Sequence, residues 1–437
     1  MSDLNDDDDL LRFLAQFGIV PDSDGQLDPQ QVLGRLQGLM GSFGTQLAGF
    51  GPTEGGMNWG FTRSIAQRTL AQGGNHGPSG DLRAVRDAVA LADLWLDDEI
   101  AFPRIAAPAQ IWSPKDWIDN TFATWQELLA PVVTSLSTAI QSLVPDGGDG
   151  DTPMPSTLRP MVKMAATGML AAQVGQALGR LAGAVLSAGE LGLPLTPRPL
   201  VALLPANIDA FGEGLDVKPD DVMLFLTLRE AARQRLFGAA GWLGPQLLAL
   251  VTHYARDIAI DPSALEDALR DRFGDITTMA DMERAGDLVA GTLFSPAVTP
   301  EQKEVLERLE TLLALVEGWV DDVVEQVTKN RMPAATALME TLRRRRASGG
   351  PAQTALKSLI GLDLQPRRTR DAANTWAATR VERGSAARDG AWHHPDFVPT
   401  PADLDDPLGF AEHDRQAPQP ADDFDDALSK LLDEEGD

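Results

Sequence analysis

Apolar residues recur at helical spacing along nearly all of this chain. In residues 81–98 (DLRAVRDAVALADLWLDD), Val85, Val89, Ala92 and Leu96 share one helical face. Residues 58–71 carry a similar amphipathic pattern, and Ser113-Pro114 opens a helix through DWIDNTFATWQELL. Asp28-Pro29 reads as the N-cap and first position of a short helix over QQVLGRLQGLM. From Pro160 the run MVKMAATGMLAAQVGQALGRLAGAVLSAG predicts one long helix over 161–189. Its Gly175, Gly179 and Gly183 are four residues apart on one face, where small residues admit another backbone. Further helices are predicted over 219–237, 242–256, 262–272, 278–292, 300–328 and 333–346, and LVALLP (200–205) is the one good strand candidate in mid-chain. Gly41–Gly56 and Pro145–Pro155 read as loops. The pattern predicts a mostly α fold with few short strands.

Length and charge refine this picture. A chain of 437 residues can bury one large core or two closely packed ones. The excess of 27 negative charges is uneven: residues 1–30 are net -7 and residues 403–437 net -11. The reading is an acidic, partly disordered segment with a short helix (1–50), a helical domain (51–402) with a loop at 145–157, and an acidic, mostly disordered tail (403–437). Net acidity argues against nucleic acid, whose phosphates would be repelled. Lys163, Gln173, Gln176 and Arg180 interrupt the longest apolar run, so no membrane span is expected. The absence of cysteine excludes disulfides, thiolate zinc sites and cysteine nucleophiles. Together with an acidic N-terminus unlike a signal peptide, it predicts a cytoplasmic protein. In the tail, Phe424, Leu428 and Leu431 recur at helical spacing, a pattern suited to docking on a protein partner.

The stretch with the most chemical content is LREAARQRLF, residues 228–237. Its centre, Arg229-Glu230-Ala231-Ala232-Arg233, has the spacing of the zinc-protease helix H-E-x-x-H, with arginine at both ligand positions. Two histidines four apart aim at one zinc, and the glutamate beside the first is the general base for the metal-bound water. Arginine has no free lone pair for a metal. Both arginines and Glu230 adjoin Val222, Leu226, Leu236 and Phe237, so this helical face is expected to be partly interior. On the pentapeptide alone, an ordinary charged helix with an i, i+3 Glu–Arg pair remains open.

The wider sequence resembles an uncharacterised family of zincin-like metallopeptidases, or hydrolases, common in actinobacteria. The blocks that carry the resemblance include GGMNWGFTRSIAQ (55–67), GQALGRLAGAVLSAGELGLPL (175–195), LFLTLREAARQRLF (224–237), TPEQKEVLERLETLLALVEGWVDDVV (299–324) and HPDFVPTPADLDDPLGF (394–410). The resemblance implies a helical zincin-like fold, with Glu230 as the motif glutamate and Glu317 at the third-ligand position. It also implies zinc as cofactor if the family chemistry survives. Arg229 and Arg233 depart from the pattern, so no cofactor is the expectation, and a protein acting by interaction. A physical account follows. Loss of a dication would leave Glu230 and Glu317 uncompensated, and two arginines would restore the charge as a salt-bridge cluster between two helices.

Other constellations keep alternatives open. An active hydrolase could hold metal through Glu230, Glu317 and a further residue such as His253 or Asp321. A small-ligand module could use Arg229 and Arg233 as an anion clamp. His253 and Asp257 are i, i+4, and His393-His394 lies in a loop rich in proline and aspartate. Arg343, Arg344, Arg345 and Arg346 end a helix, where cations suit the dipole. They read as a solvated helix end, a dock for the acidic tail, or a site for an anion. RRRRAS also resembles an arginine-directed kinase target at Ser348.

Overall fold

Short polar caps and prolines set where the helices begin. In this computed structural model, which describes residues 56–73, 80–142, 159–256, 299–350, 354, 357 and 368–412, Asn58 opens α1 (Trp59–Gln72) by accepting from the Phe61 N–H at 2.9 Å. Asp81 does the same for α2 (Leu82–Asp97). The strand β1 (Gln110–Ile111) precedes α3 (Pro114–Ser142), and α4 spans Arg159–Ala182. Then come β2 (Ala202–Leu203), α5 (Pro205–Gly212), α6 (Pro219–Ala239) and α7 (Leu243–Arg256). A full capping box between Thr299 and Gln302 starts α8 (Pro300–Thr328). The chain continues through α9 (Ala335–Ala347), α10 (Thr369–Arg383), α11 (Ser385–Gly390), two 3-10 turns, α12 (Pro401–Asp405) and α13 (Pro407–Glu412). The helices predicted near residue 30, over 262–272 and over 278–292 lie outside the described residues, as does the tail pattern around Phe424.

Helix α6 is the centre of the fold. Every residue from Phe225 to Phe237 is buried, so the one interior face expected from the sequence is in fact the whole circumference. Helices α2, α5, α8 and α9 pack on it. Its fully buried Arg235 ties it to α2, with Nη2 2.6 Å from Asp93 Oδ1 and Nη1 2.8 Å from Asp97 Oδ1. On the far side of α8, Asp322 meets Arg380 of α10 at 3.0 Å and Arg388 of α11 at 2.9 Å. Gly318 allows this approach, since a Cβ there would stand 2.6 Å from the Ala373 nitrogen.

Two boundaries differ from the sequence reading. The long helix stops at Ala182, not at residue 189. Gly175 and Gly179 are packed on α1, where a Cβ would lie 2.5 Å from Thr62 O and 2.6 Å from Ala66 O. Gly183 comes after the helix, and the nearest atom to a Cβ there is 3.6 Å away. The chain then pairs with the short sheet instead of continuing. Strands β1 and β2 run parallel in the register Gln110↔Ala202 and Ile111↔Leu203. On the other edge Ala188 N bonds Ala202 O and Leu204 N bonds Leu186 O, both at 3.0 Å. Of the predicted 200–205 strand, Ala202 and Leu203 form β2.

The folded body also runs past residue 402. Residues 403–412, assigned by composition to the tail, are helical through α12 and α13. Thr400 and Asp403 form a capping box, and Arg368 donates to Pro401 O at 2.9 Å and pairs with Asp405. Phe410 is buried edge-on to Trp376, with centroids 6.4 Å apart. These acidic residues are ordered because one aromatic anchor and one arginine hold them.

Candidate functional site

Three helices and one loop bring the sequence-predicted residues together. Arg229, Glu230 and Arg233 come from α6, Glu317 and Asp321 from α8, and Arg343 and Arg346 from the end of α9. The loop after α4 supplies Ser187, Gly189 and Glu190. The cluster expected to join two helices therefore recruits a third, and Arg346 is the residue that does it.

Glu230 is wholly buried and receives four donors. Ser187 Oγ (2.7 Å) and Arg233 Nη1 (2.9 Å) donate to Oε2, while the Gly189 N–H (3.0 Å) and Gln234 Nε2 (2.8 Å) donate to Oε1. A carboxylate offers about four lone-pair sites, and all are in use. Gly189 is required for this. A Cβ there would stand 2.7 Å from Gln234 Nε2 and 3.1 Å from Glu230 Oε1, closing the space through which the backbone N–H approaches.

Glu317 is engaged by guanidiniums alone, through three hydrogen bonds and one further ion-pair contact. Its Oε1 lies 2.9 Å from Arg233 Nε and 2.7 Å from Arg233 Nη2. Its Oε2 lies 3.0 Å from Arg229 Nη2 and 2.6 Å from Arg346 Nη2. Asp321, one turn further along α8, has Oδ1 at 2.7 Å from Arg229 Nη1, though no aligned hydrogen bond reaches that oxygen. Its Oδ2 has Arg346 Nη1 at 3.5 Å and Arg343 Nε at 3.9 Å. Arg229, Arg233 and Arg346 thus balance Glu230, Glu317 and Asp321 in charge.

The electrostatics follow from that packing. Burial alone would raise the Glu317 carboxyl, but Arg233, Arg346 and Arg229 outweigh it and hold the pKa down to about 2. Burial would lower Arg233, yet Glu317 and Glu230 raise it above the ordinary value. Arg346 is raised against burial by Asp321 and Glu317. Arg229 goes the other way: burial lowers it, Asp321 opposes, and Arg346 adds to the lowering. At the rim, burial pushes the Glu190 carboxyl up, with Arg345 3.7 Å away opposing it.

The four arginines of α9 divide among different tasks. Arg346 enters the cluster and Arg343 stands at its edge. Arg344 is exposed and pairs with Glu340 at 2.8 Å. Arg345 donates to Ala184 O at 2.6 Å and lies 5.6 Å over the Phe211 ring. The reading as a solvated helix end is right for Arg344 and wrong for Arg345 and Arg346, whose reach is set by how α9 lies against the loop and α8. His253 is exposed on α7 and is not among the residues gathered around Glu230 and Glu317. Asp257, Phe424, Leu428 and Leu431 lie outside the described residues. His393 and His394 are exposed in the 3-10 turns, where His394 Nδ1 accepts from the Asp396 N–H at 3.2 Å. Sequence reasoning missed Ser187, Gly189 and Gln234, and the buried Arg235 and Arg388. Asp321 carried a visible signal: it lies four residues after Glu317, on the same face of α8.

Two guanidiniums occupy the motif positions where imidazoles would ligate, and Glu230 and Glu317 both face protein donors. Among the described residues no three His, Cys, Asp or Glu side chains gather at metal-binding spacing. None of the described helices is long and apolar enough to cross a membrane.

A family model described as "Zincin-like metallopeptidase" matches residues 57–411, and the chain belongs to that family. The fold also resembles a crystal structure from Chloroflexus aurantiacus, described as that of "a putative hydrolase with a novel fold". The match has a TM-score of 0.54 and 19% identity, and covers 81% of this chain and 97% of that one. No curated protein sequence matches this chain significantly.

Proposed function

We propose that this chain is a catalytically retired zincin-like metallopeptidase-family protein that acts by protein interaction. One observation carries the first half: Glu230 accepts four protein donors, and Glu317 accepts three guanidinium hydrogen bonds with a further guanidinium nitrogen 2.7 Å away. A general base needs a free lone pair facing a water, and a metal ligand needs one facing the ion. Here guanidinium charge stands where a dication would, and its product is a rigid junction of α6, α8 and α9. The anion-clamp alternative is less well supported, because the donors of Arg229 and Arg233 already go to Glu230, Glu317, Asp321 and Met339. The active-hydrolase alternative rests on family membership.

Metal analysis separates these readings. Purified protein, loaded with zinc and dialysed without chelator, is expected to retain far less than one zinc per chain. The double variant Arg229→His with Arg233→His is expected to gain zinc-dependent thermal stabilisation, because it places two imidazoles four residues apart beside Glu317. About one zinc per wild-type chain, the stoichiometry of a single site, lost on Glu317→Ala, would refute retirement and point to the hydrolase reading.

The interaction half rests on the spacing of Phe424, Leu428 and Leu431 in the acidic tail. Removing residues 413–437 leaves the buried anchor Phe410 in place. It is expected to abolish capture of partners from a lysate of the native cell. Unchanged capture would assign the interaction to another surface.

A further inference from the structure

Ser348 sits where a modifying enzyme could reach it and where a new charge would be felt inside the protein. It is the C-cap of α9, exposed to solvent, and its N–H bonds Arg344 O at 3.0 Å. Its Oγ donates to Arg345 O at 3.0 Å. The next residue, Gly349, has φ +69°, so the helix ends here. Four arginines precede Ser348, and the side chains of Arg343 and Arg344 are 41% and 78% exposed. The exposed guanidiniums of Arg343 and Arg344 beside an accessible hydroxyl are a charge pattern that an acidic substrate groove selects.

We propose that Ser348 is a phosphorylation site for an arginine-directed protein kinase, and that the phosphate acts inward through Arg345. In the transfer, Ser348 Oγ forms a bond to the γ-phosphorus of ATP. The bond from that phosphorus to the β–γ bridging oxygen breaks, ADP leaves, and the hydroxyl proton passes to the kinase's base. The product carries a charge of about -2 at the negative end of the α9 dipole, where it is unfavourable unless cations answer it. On a helix the neighbours of position 348 are three and four residues back, Arg345 and Arg344.

Arg344 is already exposed, so recruiting it disturbs only its surface pair with Glu340. Arg345 is different. Its guanidinium holds Ala184 O at 2.6 Å and faces Glu190 at 3.7 Å. Ala184 begins the loop whose Ser187 Oγ and Gly189 N–H are bonded to Glu230. A phosphate that draws Arg345 away releases the outer end of that loop. The proposal holds whether or not the cluster binds zinc.

The test uses the full chain, an arginine-directed serine/threonine kinase with Mg-ATP, and peptide mass spectrometry. Phosphate is expected on Ser348 of the folded protein and absent from Ser348→Ala, with an unchanged unfolding midpoint for that variant. Labelling that spares Ser348, or that reaches it only after denaturation, would overturn the assignment. Hydrogen exchange then tests the inward coupling. Backbone amides of residues 183–190 are expected to exchange about tenfold faster after phosphorylation, the equivalent of one lost charge-assisted hydrogen bond. Arg345→Ala in unmodified protein is expected to reproduce that change. Exchange unaltered by phosphate would refute the coupling through Arg345.

Discussion

Replacing Glu317 with alanine is expected to lower the unfolding free energy by about 3–5 kcal/mol, the usual cost of removing one partner from a buried ion cluster. Among the described residues, Glu317 is the one carboxylate that touches Arg229, Arg233 and Arg346 together. Without it Arg233 keeps only Glu230, while Arg229 and Arg346 are left to share Asp321. The loss is read as a lower urea midpoint with an unchanged slope. A Glu317→Ala protein as stable as wild type would show that the junction of α6, α8 and α9 does not depend on this carboxylate.

Acid is expected to dissolve the same junction within a defined window. Glu317 is held from the ordinary 4.5 down to about 2 in the folded protein. Its ionised form is favoured by folding, so its contribution is complete above pH 4.5 and is lost as pH falls towards 2. A shift of that size corresponds to about 3 kcal/mol. Glu190 opposes it. Its folded pKa is raised, so protonation favours the native state, and stability gains from Glu190 as pH falls through its folded value. Urea midpoints between pH 6 and pH 2, measured on wild type and Glu317→Gln, separate the two. The glutamine variant should be less stable near neutrality and should show a shallower acid decline. Parallel curves would mean that Glu317 is not the titrating group.

Much of the fold was legible because helix signals are local. Asn58, Asp81 and the Thr299–Gln302 pair cap helices that begin at Trp59, Leu82 and Pro300, within a residue or two of the spans read from periodicity. Periodicity failed after Ala182. The apolar run AGAVLSAG serves a helix and a buried loop equally well, and the pairing of residues 186–188 with β2 decided between them. It also understated α6: the face of Arg229, Glu230 and Arg233 was expected to be partly interior, while the structure buries the whole circumference, Arg235 included. A buried charge is invisible in sequence until its partner is known.

The sequence by itself determined the helical class, the start of most described helices, and the REAAR spacing that lines up Arg229 with Arg233. These depend on interactions within four residues. Only the tertiary structure decided the charge partners. Arg229 and Glu317 are 88 residues apart in sequence, Ser187 and Glu230 43 apart, and Arg235 and Asp93 142 apart. Spacing tells which face a side chain occupies. Which helix meets that face, and so whether Arg346 rather than Arg344 reaches Glu317, depends on crossing angles and close approaches such as those at Gly189 and Gly318.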